Sequence, residues 1–239
     1  MDFSPLLILL GVAAGLITTI TGLGGGMLLV SALALVWDPL SALTVTSFAL
    51  LIGNAQRVYM FRRHVDRAVA TRLVAGAVPG SIAGALVATS LPPLVLHLAI
   101  VAITALAVVR TASSTAWRFP INGLTPAAAG VGALAAMSGG GGFLLGPIML
   151  SAGLSGTRYV ATAATTAVFI HIGRTTGYAI NGMVGTHTLI AGAGLAVCIV
   201  AGNLIGRQLR RTLPARSLRG FEYGTPVVVA FVALAGLLA

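Results

Sequence analysis

Runs of roughly twenty apolar residues, the length that crosses a hydrocarbon core as a helix, recur along the whole chain. They fall at about 5–21, 26–37, 42–61, 70–90, 94–110, 124–137, 142–153, 157–180, 186–208 and 221–238. Turn chemistry separates them, at Asp38-Pro39, Pro92-Pro93, Asn122-Gly123, Asn181-Gly182 and Pro214. A bilayer has no water for exposed backbone groups, so only helices and closed barrels span it. A barrel would read as short alternating segments, and none occur. Only 8% of residues are charged, against about 25% in a soluble domain. The pattern predicts an all-α integral membrane protein. The N-terminal stretch has Asp2 where a signal peptide carries basic residues, so it reads as retained.

Two of the runs are interrupted by glycine. "TGLGGGMLLV" spans Thr21 to Val30, and "MSGGGGFLLG" spans Met137 to Gly146. Each glycine inside a helix costs roughly 1 kcal/mol against alanine, so contiguous glycines predict a break. The apolar segments after the breaks, 26–37 and 142–153, reach only about 18 Å at 1.5 Å per residue, short of a core near 30 Å. They are too short for full spans. Glycines four apart, at Gly11/Gly15, Gly76/Gly80/Gly84 and Gly202/Gly206, suit close helix packing instead. Contiguous runs are not needed for packing.

The two halves resemble each other at an offset of about 117 residues. "GLGGGMLL" at 22–29 pairs with "SGGGGFLL" at 138–145, and Asn54-Ala-Gln-Arg57 with His171-Ile-Gly-Arg174. This predicts a first membrane repeat over 1–110, a cytoplasmic linker over 111–123 and a second repeat over 124–239. Arginine placement sets their orientation. With four simple spans per half, the cluster Arg207, Arg210, Arg211, Arg216, Arg219 would face away from Arg57, Arg62, Arg63, Arg67 and Arg72, against the positive-inside rule. If each glycine-broken unit enters and leaves on one side, every cluster shares one face. One such unit would suffice; repeat symmetry argues for both. The expected architecture is two inverted repeats, each a glycine-broken re-entrant or half-helix pair plus three transmembrane helices. The arginine-rich loops are then cytoplasmic, the termini outside, and the location the inner (cytoplasmic) membrane.

A break at membrane depth needs protein or a watery cavity to satisfy its backbone. Half-helix N-termini in inverted-repeat transporters point at anionic substrate groups, and glycines let backbone N–H groups form an anion nest. Candidate substrate-binding residues are therefore Gly24, Gly25 and Gly26 with their mates Gly140, Gly141 and Gly142, together with Ser138. Arg174 lies inside a span with His171 one turn earlier, and a charge there costs at least about 2.5–3.5 kcal/mol; both join the set. Arg57 is the repeat mate of Arg174. Asn54, Thr46, Ser47 and Thr165 add donors, although a lone hydroxyl on a helix often bonds its own backbone.

The net charge of +10 comes from fourteen arginines and no lysine, which reads as topology signal rather than nucleic-acid binding. No aspartate or glutamate lies in a full span, disfavouring a carboxylate proton relay or carboxylate-bound sodium. No paired carboxylates, metal-spaced cluster or nucleophile–base pair appears, so neither an enzyme nor a cofactor or metal site is expected. Cys198 is the only cysteine; it and His97 read as incidental, and His187 as solvated. The expected partners are a small anion, membrane lipid and a second copy of the chain. The leading reading is a secondary carrier; an anion channel on the same scaffold is the alternative.

Gly22-Leu-Gly-Gly-Gly26, and Gly140 to Gly142 followed by Pro147, form a paired glycine-rich motif. It resembles the TauE/SafE sulfite exporter family, also called the toluene sulfonate uptake permease family. Thr46-Ser47 resembles that family's threonine-serine pair. Ser31 departs from the family's first-copy proline, and Ser138 stands where Gly22 stands in the mate. The resemblance implies movement of sulfite, a sulfonate or a related organosulfur anion, often outward, with uptake of a related oxyanion as the other direction.

Overall fold

Two of the long helices start on aspartate caps, at Asp38 and Asp66. The computed structural model describes residues 5–112, 120–214, 224–225 and 227–235. Its helices are α1 (Pro5–Thr21), α2 (Gly25–Leu33), α3 (Pro39–Phe61), α4 (Arg67–Ala88), α5 (Pro93–Ala112), α6 (Leu124–Ser138), α7 (Gly141–Ser151), α8 (Gly156–Ile180) and α9 (Thr186–Thr212). Residues 227–235 are also helical. Asp38 caps α3 by accepting from Leu40 and Ser41 N–H, with Pro39 in the first turn. Most of the expected linker, parts of 221–238, and Arg118, Arg216 and Arg219 lie outside the described residues.

The expected short segments are real and shorter still. α2 has nine residues and α7 eleven, because the first glycines of each run end one helix and the last begin the next. The chain doubles back at each break. A Cβ on Gly25 would lie 2.0 Å from Ala14 O and 2.2 Å from Thr18 Oγ1, which places the start of α2 against the body of α1. Proline sits inside α7 at Pro147. Its mate position in α2 is Ser31, whose buried hydroxyl has no hydrogen-bond partner.

Spaced glycines bring the long helices together. A Cβ on Gly76, Gly80 or Gly84 of α4 would come within 1.9, 2.0 or 2.4 Å of the carbonyls of Thr125, Ala129 and Ala133 on α6. On α1 and α9, a Cβ on Gly15 would fall 2.2 Å from Ile199 O and one on Gly202 2.1 Å from Val12 O. These are the backbone approaches that only glycine permits.

The packing has a symmetric pattern. α1 packs on α9, α4 on α6 and α8, and α3 on α8 and α9. Exchanging α1, α3 and α4 for α6, α8 and α9 returns the same set of contacts. The directions follow the same exchange. α1 runs parallel to α9, and α4 parallel to α6. α3 and α8 run antiparallel: Leu43 and Ser47 meet Arg174 and Thr175, whereas Asp66, just beyond α3, meets Arg158 and Thr162.

α4 and α9 are long and apolar enough to cross a membrane by length and composition. α3 and α8, at 23 and 25 residues, exceed the roughly twenty that a span needs. Their polar side chains turn inward: Thr46, Asn54, Arg57, Thr162, Thr166, His171 and Arg174 are all buried.

Asp66 fastens the halves at one end. It caps α4 by accepting from Val69 N–H, pairs with Arg158 at the start of α8, and donates its own N–H to Thr162 Oγ1. The Val69 N–H holds the carboxyl below its usual range; desolvation opposes it, and Arg158 adds to the lowering. A depressed carboxyl stabilises the fold above its unfolded pKa of about 3.9, and that contribution fades as pH falls through the folded value. Asp66→Ala is therefore expected to cost about 1 kcal/mol, the typical worth of a cap. Thermal unfolding in detergent from pH 7 to pH 3 checks it: the gap between wild type and variant should narrow at the acid end. A gap that is constant with pH would contradict this role.

Candidate functional site

The two breaks are shaped by glycines in the left-handed region. Gly22 and Gly24 have φ of +91° and +101°, and Gly139 has +72°. Any other residue there would be strained. Each first helix closes in the same way, by Gly22 N–H to Thr18 O and Gly139 N–H to Ala135 O. The carbonyls left over at each end need donors. Arg210 donates to Ile20 O at 2.6 Å and Thr19 O at 3.3 Å. Tyr178 does the same for Ala136 O.

The breaks then meet. A Cβ on Gly142 would lie 3.6 Å from Gly24 N and 3.1 Å from Leu23 Cδ2. A Cβ on Gly24 would lie 3.0 Å from the Phe143 ring. Around this meeting point is a cavity of about 50 Å³, lined from both halves. Gly22, Leu23, Gly24, Gly26, Asn54 and Arg57 come from the first; Gly139, Gly141, Gly142, Phe143, His171 and Arg174 come from the second. Gly26 and Gly142 lie in the first turns of α2 and α7, where backbone N–H groups have no partner within the helix. That end of a helix favours negative charge.

Arg57 and Arg174 are 1% and 0% exposed. Arg57 donates from Nη1 to Asn54 Oδ1 at 2.8 Å and from Nη2 to Gly22 O at 2.9 Å. Arg174 donates from Nη2 to Leu43 O at 3.0 Å, and its Nη1 faces His171 Nδ1 at 3.4 Å. An Nδ1 that accepts from the guanidinium leaves the ring hydrogen on Nε2. In both arginines Nε is buried without a partner. Among the described residues the ion pair present is Asp66–Arg158, away from either. Two cations are thus buried with spare donor capacity and, among the described residues, no carboxylate.

Of the expected site residues, the structure brings Gly24, Gly26, Gly141, Gly142, Asn54, Arg57, His171 and Arg174 together around the cavity. The others lie outside its lining. Gly25 packs on α1, and a Cβ on Gly140 would meet Ile103 at 2.5 Å. Thr46 and Thr165 bond the carbonyls four residues back. Ser47 bonds Thr44 O and Thr175 Oγ1. Ser138 accepts from Gly140 N–H and donates to Leu134 O. Helix backbone absorbs these hydroxyls, as short polar side chains allow. Leu23, Met27 and Phe143 were not expected. They are apolar residues flanking the glycines, and nothing in a one-dimensional pattern separates a cavity wall from core.

A chain of this composition, helical and without strands among its described residues, with two broken helices around a cavity that two buried arginines line, has the form of an integral membrane transporter. A family model described as Sulfite exporter TauE/SafE matches residues 7–235, nearly the whole chain, and the chain belongs to that family. No curated protein and no solved structure matches it.

Proposed function

We propose that the chain is a secondary carrier that moves a small oxyanion, sulfite or an organosulfonate, out of the cytoplasm by alternating access around the cavity. One observation carries this reading: two fully buried arginines, each with an unpartnered Nε and, among the described residues, no carboxylate beside it, face the cavity where the breaks meet. A buried cation is costly unless paired. An oxyanion supplies the missing charge and accepts from Nε. Backbone N–H groups at the starts of α2 and α7 add donors of a kind that suits tetrahedral or pyramidal anions.

The two halves act as inverted repeats, 1–110 and 124–239. The exchange of helix contacts and the antiparallel run of α3 and α8 support this reading. It places the arginine-rich loops in the cytoplasm and both termini outside. Residues carry no chemistry here; the protein binds and releases. An anion leaving an inside-negative cell gains about 2.3 kcal/mol per charge per 100 mV, so export runs downhill without a coupling ion.

Proteoliposomes loaded with labelled sulfite test the reading. Efflux should saturate with concentration, show counterflow and quicken when the potential favours anion exit. Flux indifferent to voltage would overturn uncoupled export. Unitary currents without counterflow would make the protein a channel.

A further inference from the structure

We infer that the cavity selects oxyanions without an O–H group, so that it takes the sulfite dianion or a sulfonate and turns away bisulfite and hydrogen phosphate. This rests on the anion reading above and narrows it to one protonation state.

The acceptors around the cavity are already engaged. Among the described residues, five polar side chains line it: Thr18, Asn54, Arg57, His171 and Arg174. None is a carboxylate. Asn54 Oδ1 accepts from Arg57 Nη1 at 2.8 Å, and its Nδ2 donates to Leu50 O at 2.9 Å. His171 Nδ1 faces Arg174 Nη1, and a guanidinium only donates. Thr18 donates to Ala14 O at 2.6 Å, and its oxygen lies against Gly25, where a Cβ would fall 2.2 Å from it. The carbonyls of the first break are taken as well. Gly22 O accepts from Arg57 Nη2, Leu23 O from the Thr21 hydroxyl, and Gly24 O from the N–H groups of Met27 and Leu28.

Donors are left over. Nε of Arg57 and Nε of Arg174 are buried without a partner, on residues that line the cavity. With Nδ1 accepting, the ring hydrogen of His171 stands on Nε2, which makes that nitrogen a donor too. The first turns of α2 and α7 add N–H groups at Gly26 and Gly142, free of partners within their helices. An oxyanion oxygen without hydrogen only accepts, so it matches this lining. A ligand O–H must donate as well. Here it would meet donors, leaving its own hydrogen and one protein N–H unsatisfied. Such a mismatch in a buried site weakens binding about tenfold to a hundredfold. Sulfate and hydrogen phosphate have the same shape, so donor matching is what separates them.

Binding of labelled sulfite to the purified full-length protein tests this without a variant. At pH 8, unlabelled sulfate should displace sulfite, and phosphate should need about tenfold to a hundredfold more. From pH 8 to pH 6 sulfite gains a proton, and its apparent affinity should fall about tenfold with the dianion fraction. Sulfate stays ionised, and its affinity should stay level. Among the described residues the titratable side chains lining the cavity are Arg57 from α3 and His171 and Arg174 from α8; α1, α2, α6 and α7 contribute none. Sulfate is the control for them, because a parallel fall of both anions would place the proton on the protein and overturn the selection. His171→Gln brings an amide oxygen to the cavity wall. It should narrow the ratio of sulfate to phosphate affinity, a change that lost packing alone would not produce. Phosphate displacing sulfite as well as sulfate does, or sulfite affinity level across the pH range, would overturn the selection and leave the anion reading standing. Absence of sulfite and sulfate binding at every pH would overturn both.

Discussion

Arg174→Gln is expected to abolish sulfite transport while the protein still folds and runs as a single species in detergent. The size of the effect follows from burial. Truncating one member of a buried, hydrogen-bonded charge pair costs about 2–5 kcal/mol, which is roughly a 30- to 4,000-fold loss of affinity by the relation of about 1.4 kcal/mol per decade. In the proposed carrier every transported ion passes this position, so the loss reaches the flux. The fold should tolerate the change for a separate reason. Arg174 is fully buried and, among the described residues, has no carboxylate partner; in the empty protein an unpaired buried charge is a cost. Leu43 O, its main anchor, lies inside α3, where the helix ladder also serves that carbonyl. The variant's thermal midpoint in detergent should therefore match or exceed that of wild type without anion, and fail to rise when sulfite is added. Arg174→Lys keeps the charge but not the planar fork, and should retain a reduced flux. Transport by the glutamine variant within twofold of wild type would place the substrate path elsewhere.

The sequence announced the breaks because glycine runs have few other uses inside apolar helices. It also announced Arg57 and Arg174, since a charge within a span needs a reason. Their depth was harder to read. Arg57 stands close to Arg62 and Arg63 and reads equally well as an interface arginine, yet it is as buried as Arg174. The difference lies in Asn54 and Gly22 O, partners that only the fold brings within reach. The threonines misled for the opposite reason. Thr46 and Thr165 look like donors on an inward face, but a carbonyl four residues back is always closer than a cavity. Asp66 gave no signal of linking the halves, because Arg158 and Thr162 lie more than ninety residues away in the chain.

The glycines themselves divide by role, and two substitutions should separate the roles. Gly25→Ala is expected to destroy the fold. Its Cβ would fall 2.0 Å from Ala14 O and 2.2 Å from Thr18 Oγ1, distances that backbone cannot relieve without parting α2 from α1. Overpacking of this kind costs about 1–3 kcal/mol or more, so the variant should be poorly expressed or aggregated. Gly142→Val is expected to fold and yet carry no sulfite. Gly142 is helical and has no left-handed φ, so valine costs well under 1 kcal/mol of helix propensity against alanine and regains some against glycine. Its Cβ would meet Leu23 Cδ2 at 3.1 Å, the end of a flexible side chain, and then Gly24 N at 3.6 Å. The branched methyls would fill the place where the two breaks touch and shield the amide N–H groups from an oxyanion. The measurement pairs size-exclusion and thermal unfolding with flux in proteoliposomes. If Gly142→Val carries sulfite at the wild-type rate, the meeting of the breaks is mere packing. If it fails to fold as Gly25→Ala does, the glycine runs serve helix contact throughout, and the cavity loses its backbone donors as an explanation.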